Sequence, residues 1–198
     1  MSNSGRVIKR IFDILLSLVG VLLTFWLILI AFIIASIETK SFGIFIQKRV
    51  GKDAKFFNVF KIKTMKPLEG IDTTITTSND MRITKSGKFF RDKKIDELPQ
   101  LFNVLLGTMS FVGPRPDVEG YADALEGEDR LLLTIRPGIT GPASIKYKDE
   151  EEILAKQSNP QEYNDKIIWV DKVAINLEYI KNWSLKKDIQ YIIKTVIG

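Results

Sequence analysis

The feature that most constrains this sequence is a long uncharged, apolar run near its N-terminus. The 24 residues from Ile14 to Ile37 contain no charged side chain. As a helix this run is about 36 Å long, which is enough to cross the hydrocarbon core of a bilayer. The polar residues that follow, Glu38-Thr39-Lys40-Ser41, are unlike the small-residue cleavage site of a signal peptide. The sequence therefore predicts a retained membrane segment.

Basic residues flank this run on both sides, and they bear on its course through the membrane. Because positive charge stays on the cytoplasmic side, they favour a re-entrant helix with both ends inside. No proline occurs between Met1 and Met65, so Gly20 is the candidate for a bend. A helix that spans the membrane once is the alternative. The flanking residues are Arg6, Lys9, Arg10, Lys40, Lys48, Arg49 and Lys52.

The composition excludes several kinds of catalysis. The chain of 198 residues has no cysteine and no histidine, which rules out thiolate nucleophiles, zinc–cysteine sites and imidazole bases. Catalysis would have to use carboxylates, lysine, arginine, tyrosine or hydroxyl groups, with any hard cation bound through oxygen atoms. A net charge of +5, from 29 basic and 24 acidic residues, suits an anionic partner: a membrane surface, a phosphorylated substrate or a nucleic acid.

The residues after the apolar run predict a cytosolic domain of the α/β or α+β class, rich in helices and with a small sheet. Residues 55–65 alternate as in a strand, and residues 66–87 read as a polar loop. Helical spacing covers 98–106, and a further helix is expected over 117–133. An amphipathic last helix is expected after Ser184 and, with other short amphipathic helices, would rest on the membrane surface. We divide the chain into a membrane segment, 1–42, and a cytosolic domain, 43–198.

An acidic pair, Asp96-Glu97, precedes the predicted 98–106 helix. The partial positive charge of a helix N-terminus favours ionised carboxylates, which can then act as a nucleophile or as ligands of a cation. Acidic residues are also common in the first turn of helices, where they only stabilise the helix. On these two residues alone the structural interpretation is favoured.

Several basic residues are candidates for phosphate binding. Arg115 lies between two prolines, and Arg136 precedes a proline and a glycine, so the backbone presents each guanidinium with little freedom. Such a fixed guanidinium suits bidentate contact with phosphate. Lys61 and Lys63 lie two apart on the predicted strand and point the same way. Each of these residues is also compatible with an ordinary solvated side chain. Together with the membrane segment they indicate an anionic, phosphate-bearing substrate with a lipid part.

Two blocks of sequence carry a resemblance to a known family. The blocks DELPQLFN (96–103) and MSFVGPRP (109–116) resemble the bacterial sugar transferase family, the monotopic polyprenyl-phosphate phosphoglycosyl transferases. The resemblance covers nearly the whole chain, whose length is similar to that of the small members. It continues in order through KRIFD (9–13), QKRVG (47–51), FKIKTM (60–65), Gly87, Arg91 and RPGITG (136–141).

The resemblance implies transfer of a sugar 1-phosphate from a UDP-sugar to undecaprenyl phosphate, with release of UMP, to start the assembly of a cell-surface glycan. It implies that Asp96 is the nucleophile of a covalent phosphosugar intermediate. Glu97 is implied as a second catalytic residue and, with Asp96, as a candidate Mg²⁺ ligand. The expected location is the bacterial inner membrane, with the catalytic domain on the cytoplasmic face. The expected phosphate-binding residues are Lys63, Arg91, Arg115, Arg136 and, as the weakest of these candidates, Lys61.

Two positions depart from the family pattern. Phe25-Trp26 stands where family members usually carry the Ser-Pro that breaks the membrane helix. Asn176 stands where some members have a functional aspartate, and Asp171 lies nearby in another register. The sequence does not identify the sugar or the glycan. The polar loop 66–87 and the stretch 142–170 are where we expect selectivity to lie.

Two other functions were weighed. A non-catalytic, membrane-anchored module that binds anionic lipid explains the charge and the apolar run, but not the two rigidly presented arginines. Nucleic-acid binding is not supported, because aromatic residues do not alternate with basic ones in a stacking pattern. The expected partners are therefore a UDP-sugar, undecaprenyl phosphate and membrane lipid, with an oligomer left open.

Overall fold

The structure is a computed structural model that describes residues 1–66 and 81–197. It is helix-rich with little sheet, as the sequence predicts, but the described residues form two small sheets where one was expected. The α-helices are α1 (Asn3–Thr39), α2 (Lys85–Asp92), α3 (Gln100–Leu106), α4 (Pro142–Lys146), α5 (Glu150–Ala155), α6 (Pro160–Tyr163), α7 (Trp169–Lys181) and α8 (Leu185–Ile197). The strands are β1 (Ile44–Val50), β2 (Phe56–Ile62), β3 (Ser110–Val112) and β4 (Gly138–Thr140).

Helix α1 contains the apolar run and extends beyond it at both ends. Its 37 residues form one uninterrupted helix, about 55 Å long at 1.5 Å per residue. Among the described residues it is the one helix long and apolar enough to cross a membrane, and only 17% of its most apolar window is buried. Such exposure is that of a membrane-anchoring helix rather than of a core helix. The helix is continuous through Gly20, and the re-entrant course stays a prediction.

Each sheet has two strands. Strands β1 and β2 pair around a short turn, while β3 and β4 are parallel, with Ser110 opposite Gly138 and Val112 opposite Thr140. Strand β2 does not keep the alternation that the sequence predicts, because Val59 and Ile62 are both buried.

The chain forms two compact units. The larger unit comprises residues 1–15, 48–57 and 104–198, and the smaller unit comprises 16–47 and 58–103. The smaller unit packs around Ile28, Ala31, Ala35, Ile62, Phe90 and Ile95. The larger unit has one cluster around Val112, Leu132, Ile135, Tyr179 and Ile180 and another around Val50, Ala122 and Leu133. The division into 1–42 and 43–198 concerns the membrane and stays a prediction.

Buried polar contacts fix the first turns of α1 within the larger unit. Lys9 Nζ lies 2.6 Å from Asp188 Oδ2, and the two side chains are 6% and 0% exposed. Tyr179 and Trp183 also donate hydrogen bonds to Asp188, at 2.6 and 3.0 Å. Asp13 accepts hydrogen bonds from the hydroxyl of Ser110 and from the next backbone N–H, both at 3.1 Å. The residues before the apolar run therefore belong to the globular part of the protein.

The expected helix over 117–133 is wrong. This stretch holds only 3₁₀ turns, at Ala122–Ala124 and Gly127–Thr134. Gly120 and Gly127 adopt positive φ values of 99° and 55°, which an α-helix cannot accommodate. Of the expected loop 66–87, residues 67–80 lie outside the described part of the chain, and 85–87 open α2.

Two other helix predictions are confirmed. Helix α3 lies within the expected 98–106 and ends before Gly107, whose φ of 85° is typical of a C-terminal glycine. Ser184 caps α8, since its hydroxyl accepts a hydrogen bond from the N–H of Lys187.

Candidate functional site

The acidic pair lies in a single 3₁₀ turn, Ile95–Glu97, between α2 and α3. Lys94 has a left-handed backbone with φ 56°, which ends α2 and directs the chain into this turn. Asp96 is only 9% exposed. Its Oδ1 atom has no hydrogen-bond partner among the described residues. A buried carboxylate oxygen without a partner is costly for the folded state, and it is a feature that functional sites retain.

The surroundings raise the pKa of Asp96 to about 6. Burial is the main cause, and the neighbouring charge of Glu97 adds to it. The positive charges of Lys61 and Arg91 act in the opposite direction and keep the increase moderate. Burial outweighs the helix dipole, so the pKa of Asp96 lies above rather than below its usual range, although the carboxylate stays mostly ionised at neutral pH.

Glu97 forms an ion pair with one of the expected phosphate-binding residues. Lys61 Nζ on β2 lies 3.0 Å from Glu97 Oε1, and the two side chains are 21% and 17% exposed. This contact fixes the strand against the turn that carries Asp96. The structure therefore places Lys61 beside the acidic pair, although it was the weakest of the phosphate-binding candidates.

Arg91 and Lys63 belong to the same unit as the acidic pair. Arg91 Nε donates a hydrogen bond of 2.9 Å to Thr64 Oγ1, and its charge acts on Asp96. Lys63, one residue beyond the end of β2, donates from Nζ to Ser41 Oγ at 2.7 Å. Asp96, Glu97, Lys61 and Arg91 thus form one electrostatic cluster in the smaller unit.

Arg115 lies in the larger unit, and its side chain is exposed. The two residues before it are bound to the chain around β4. Gly113 donates to Thr140 O at 2.9 Å, and Gly138 donates to Pro114 O at 2.7 Å. Only glycine fits at position 113 without a shift of the backbone, because a Cβ atom there would lie 2.5 Å from Arg136 O. The rigid presentation of Arg115 that the prolines predict is therefore reinforced by hydrogen bonds.

Arg136, also in the larger unit, has a contact that the sequence did not predict. Its Nε donates to Gly107 O at 2.6 Å, just beyond the end of α3. Arg10 donates to Val104 O and Leu105 O in the last turn of the same helix, at 2.6 and 2.9 Å. Two guanidiniums thus satisfy carbonyl groups that a helix C-terminus leaves open. The sequence marked Arg10 only as a basic residue flanking the apolar run and as part of the KRIFD block, not as a partner of α3.

Asn176 and Asp171 both lie on α7 but differ in their surroundings. Asn176 is 4% exposed, and its Oδ1 has no hydrogen-bond partner among the described residues. Asp171 accepts hydrogen bonds from Lys146 Nζ and Tyr147 OH, both at 2.6 Å, and these two bonds lower its pKa. Asp171 is therefore engaged in a surface contact, whereas Asn176 is a buried polar group.

The comparison with known families decides the membership of this chain. The bacterial sugar transferase family profile matches residues 4–198, nearly the whole chain. This protein belongs to the bacterial sugar transferase family. The resemblance found on the acidic and arginine–proline blocks is thereby confirmed.

Three relatives are similar to this chain over almost its full length. A UDP-glucose:undecaprenyl-phosphate glucose-1-phosphate transferase of Klebsiella pneumoniae is 39% identical, over 99% of this chain and 41% of its own. A UDP-N-acetylgalactosamine-undecaprenyl-phosphate N-acetylgalactosaminephosphotransferase of Aeromonas hydrophila is 33% identical, over 96% and 43%. A UDP-glucose:undecaprenyl-phosphate glucose-1-phosphate transferase of Caulobacter vibrioides is 32% identical, over 95% and 68%. The chain thus spans less than half of the length of the first two relatives.

Proposed function

We propose that this sugar transferase moves a sugar 1-phosphate from a UDP-sugar to undecaprenyl phosphate and releases UMP. The observation that carries the proposal is Asp96, a buried carboxylate whose Oδ1 has no hydrogen-bond partner among the described residues. A carboxylate needs no base to become a nucleophile, which suits a chain without histidine or cysteine. The names of the relatives support the same reaction.

In the first step an Asp96 oxygen attacks the sugar-bearing phosphorus of the donor. The bond between this phosphorus and the bridging oxygen breaks, and UMP leaves with that oxygen and its electron pair. The product on the enzyme is a mixed anhydride between the Asp96 carboxyl and the sugar phosphate. In the second step an oxygen of undecaprenyl phosphate attacks the same phosphorus and releases the Asp96 carboxylate. The two steps balance without net proton transfer.

The charges around Asp96 fit this role. A pKa of about 6 leaves roughly nine-tenths of the carboxylate ionised at pH 7 and makes it more nucleophilic than an ordinary aspartate. The charges of Lys61 and Arg91 act on Asp96. They therefore supply positive charge near the carboxylate, where an incoming phosphate needs it. Arg115, in the larger unit, stays a proposed phosphate-binding residue in its own right.

The acidic pair also fits a magnesium ion. The described ranges contain no cluster of three acidic or other metal-binding side chains. Magnesium, however, is commonly bound by one or two carboxylates together with substrate phosphates and water. Asp96 and Glu97 are therefore a sufficient protein ligand set, and the unpartnered Oδ1 of Asp96 is a suitable donor. When bound, Mg²⁺ would neutralise charge on the donor diphosphate.

The proposed location is the cytoplasmic face of the inner membrane, with α1 as the anchor. The acceptor's phosphate lies at the membrane surface, and α1 keeps the catalytic part of the chain there. The exposed apolar side chains of α1, such as Leu22 and Leu23 at 70% and 68%, are suited to lipid.

The test is UMP release by the detergent-purified chain with Mg²⁺ and undecaprenyl phosphate. The donor panel contains UDP-glucose, UDP-galactose and UDP-N-acetylgalactosamine, which match the relatives. We expect lipid-dependent turnover with at least one donor and its loss in Asp96→Asn. Asp92→Asn is the matched control, since Asp92 is exposed four residues earlier and loses the same charge. Wild-type turnover in Asp96→Asn would refute the assignment of Asp96 as the nucleophile.

A further inference from the structure

The QKRVG block, residues 47–51, has no role in the site described above. The structure places its central residues beside the Arg115 segment, within the larger unit. Arg49 Nη1 donates to Pro116 O at 3.4 Å, and Val50 N donates to Asp117 O at 2.9 Å. The end of β1 thus binds the two residues that follow Arg115.

Arg115 is therefore held from both sides. The chain around β4 binds Gly113 and Pro114, and the end of β1 binds Pro116 and Asp117. With a proline on each side, the backbone of Arg115 has little freedom left. Its side chain nevertheless remains exposed. A fixed backbone with an exposed guanidinium is the arrangement expected of a binding residue whose direction matters.

The direction of that guanidinium depends on nearby charges. Asp117 is half-buried, and burial raises its pKa to about 6 against the opposing charges of Lys172, Arg49 and Arg115. Burial also lowers the pKa of Arg49, and the charge of Arg115 lowers it further. The two guanidiniums are thus close enough to repel each other, and the Asp117 carboxylate is the charge that offsets this repulsion.

The remaining charges near Asp117 belong to one ion pair. Lys172 Nζ on α7 lies 2.6 Å from Glu150 Oε2, and both side chains are mostly buried. Asp117 thus lies among the positive charges of Arg49, Arg115 and Lys172, a setting that favours an anionic ligand.

We propose that Arg49 and Asp117 are positioning residues that hold the Arg115 guanidinium in place for phosphate. This inference rests on the proposed phosphate-binding role of Arg115. Arg49 fixes the backbone through its hydrogen bond to Pro116 O. The negative charge of Asp117 offsets the repulsion between the guanidiniums of Arg49 and Arg115, which would otherwise move apart. Their effect on catalysis passes through Arg115.

A double-mutant cycle on UMP release tests this dependence. We expect Arg49→Gln to lower kcat/KM roughly tenfold or more, because misplacing a binding group by a small distance is costly. If Arg49 acts through Arg115, the double variant Arg49→Gln/Arg115→Gln will lie within about twofold of Arg115→Gln alone. If the losses of kcat/KM in the two single variants multiply in the double variant, the proposal is overturned. Lys48→Gln is the matched control, because Lys48 is exposed and loses the same charge from the same strand.

Asp117 is tested with a conservative pair of variants. We expect Asp117→Asn to lose activity and Asp117→Glu to recover part of it, since Glu restores the charge. Asp117→Asn is expected to melt no lower than wild type, because a neutral side chain avoids the cost of ionising a carboxylate whose pKa burial raises, so its lost activity would not reflect unfolding. Wild-type activity in Asp117→Asn, or an Asp117→Glu variant no more active than Asp117→Asn, would overturn the role of this carboxylate.

Hydrogen exchange separates this proposal from the proposed function, because it needs no turnover. The probe is the backbone amide of Val50, which donates to Asp117 O, in the full chain without ligand. We expect Arg49→Gln and Asp117→Asn to speed exchange at this amide, and Lys48→Gln to leave it unchanged. Unchanged exchange in all variants would overturn the positioning role. Faster exchange in a chain that releases no UMP would instead support the positioning and refute the reaction.

Discussion

Replacing Asp96 with Asn is expected to make the protein more stable while removing its activity. The buried carboxylate is disfavoured in the folded state, which is why its pKa rises from the ordinary 3.8 to about 6. Below pH 4 the folded and unfolded chains both hold a protonated Asp96, so this group costs nothing. Between pH 4 and 6 the unfolded state ionises first, and the wild type loses stability. Above pH 6 the loss is constant.

The magnitude follows from the pKa. One pH unit corresponds to about 1.4 kcal/mol, so a rise of roughly two units costs the folded wild type about 3 kcal/mol at pH 7 and above. Asn is neutral at every pH and avoids this cost. For a chain of this size 1 kcal/mol corresponds to about 2–4 °C in melting temperature. Asp96→Asn should therefore melt about 6–12 °C higher at pH 7.5 and near the wild-type temperature at pH 4.

The assay is thermal unfolding in one detergent at several pH values, with EDTA present so that no metal compensates the carboxylate. Asp92→Asn is the control, since Asp92 is exposed and loses the same charge. The reasoning is refuted if Asp96→Asn is no more stable than wild type at pH 7.5. It is also refuted if any gain is the same at pH 4, because a gain of that kind does not come from ionisation.

Three further predictions concern the buried Lys9–Asp188 ion pair, the contacts of Arg10 with α3, and the metal. Asp188→Asn leaves the buried ammonium of Lys9 without its charge partner, so a loss of about 3–5 kcal/mol is expected; an unchanged melting temperature would contradict it. Arg10→Lys removes the paired contacts with the end of α3 and should cost about 1–3 kcal/mol, whereas Arg6→Lys, at an exposed position of the same helix, should cost nothing. EDTA should stop UMP release and excess Mg²⁺ should restore it, while an unaffected rate in EDTA would remove the metal from the account.

The parts of the fold that the sequence predicted are those with local signals. The uncharged run gave α1, and the hydroxyl of Ser184 marked the start of α8. The stretch 117–133 has apolar residues at helical spacing, but the left-handed backbone at Gly120 and Gly127 interrupts it. A glycine in a sequence does not reveal which φ it adopts, so this error could not be avoided from spacing alone.

The site shows the same division between local and tertiary information. The acidic pair and the rigid presentation of Arg115 are visible in short motifs. The raised pKa of Asp96 depends on burial, and the contact of Arg136 with Gly107 O joins residues 29 positions apart. Neither the burial of a particular carboxylate nor the partner of a particular guanidinium follows from residue spacing.

The most direct measurement of the central claim is the capture of the covalent intermediate. The purified chain is incubated with each UDP-sugar, labelled in its sugar-bearing phosphate, in the absence of undecaprenyl phosphate. The account predicts one label per chain on the peptide that contains Asp96, with an equal amount of UMP released, and loss of the label when the lipid phosphate is added. Turnover with the lipid but no label without it, or a label that persists in Asp96→Asn, would contradict the account.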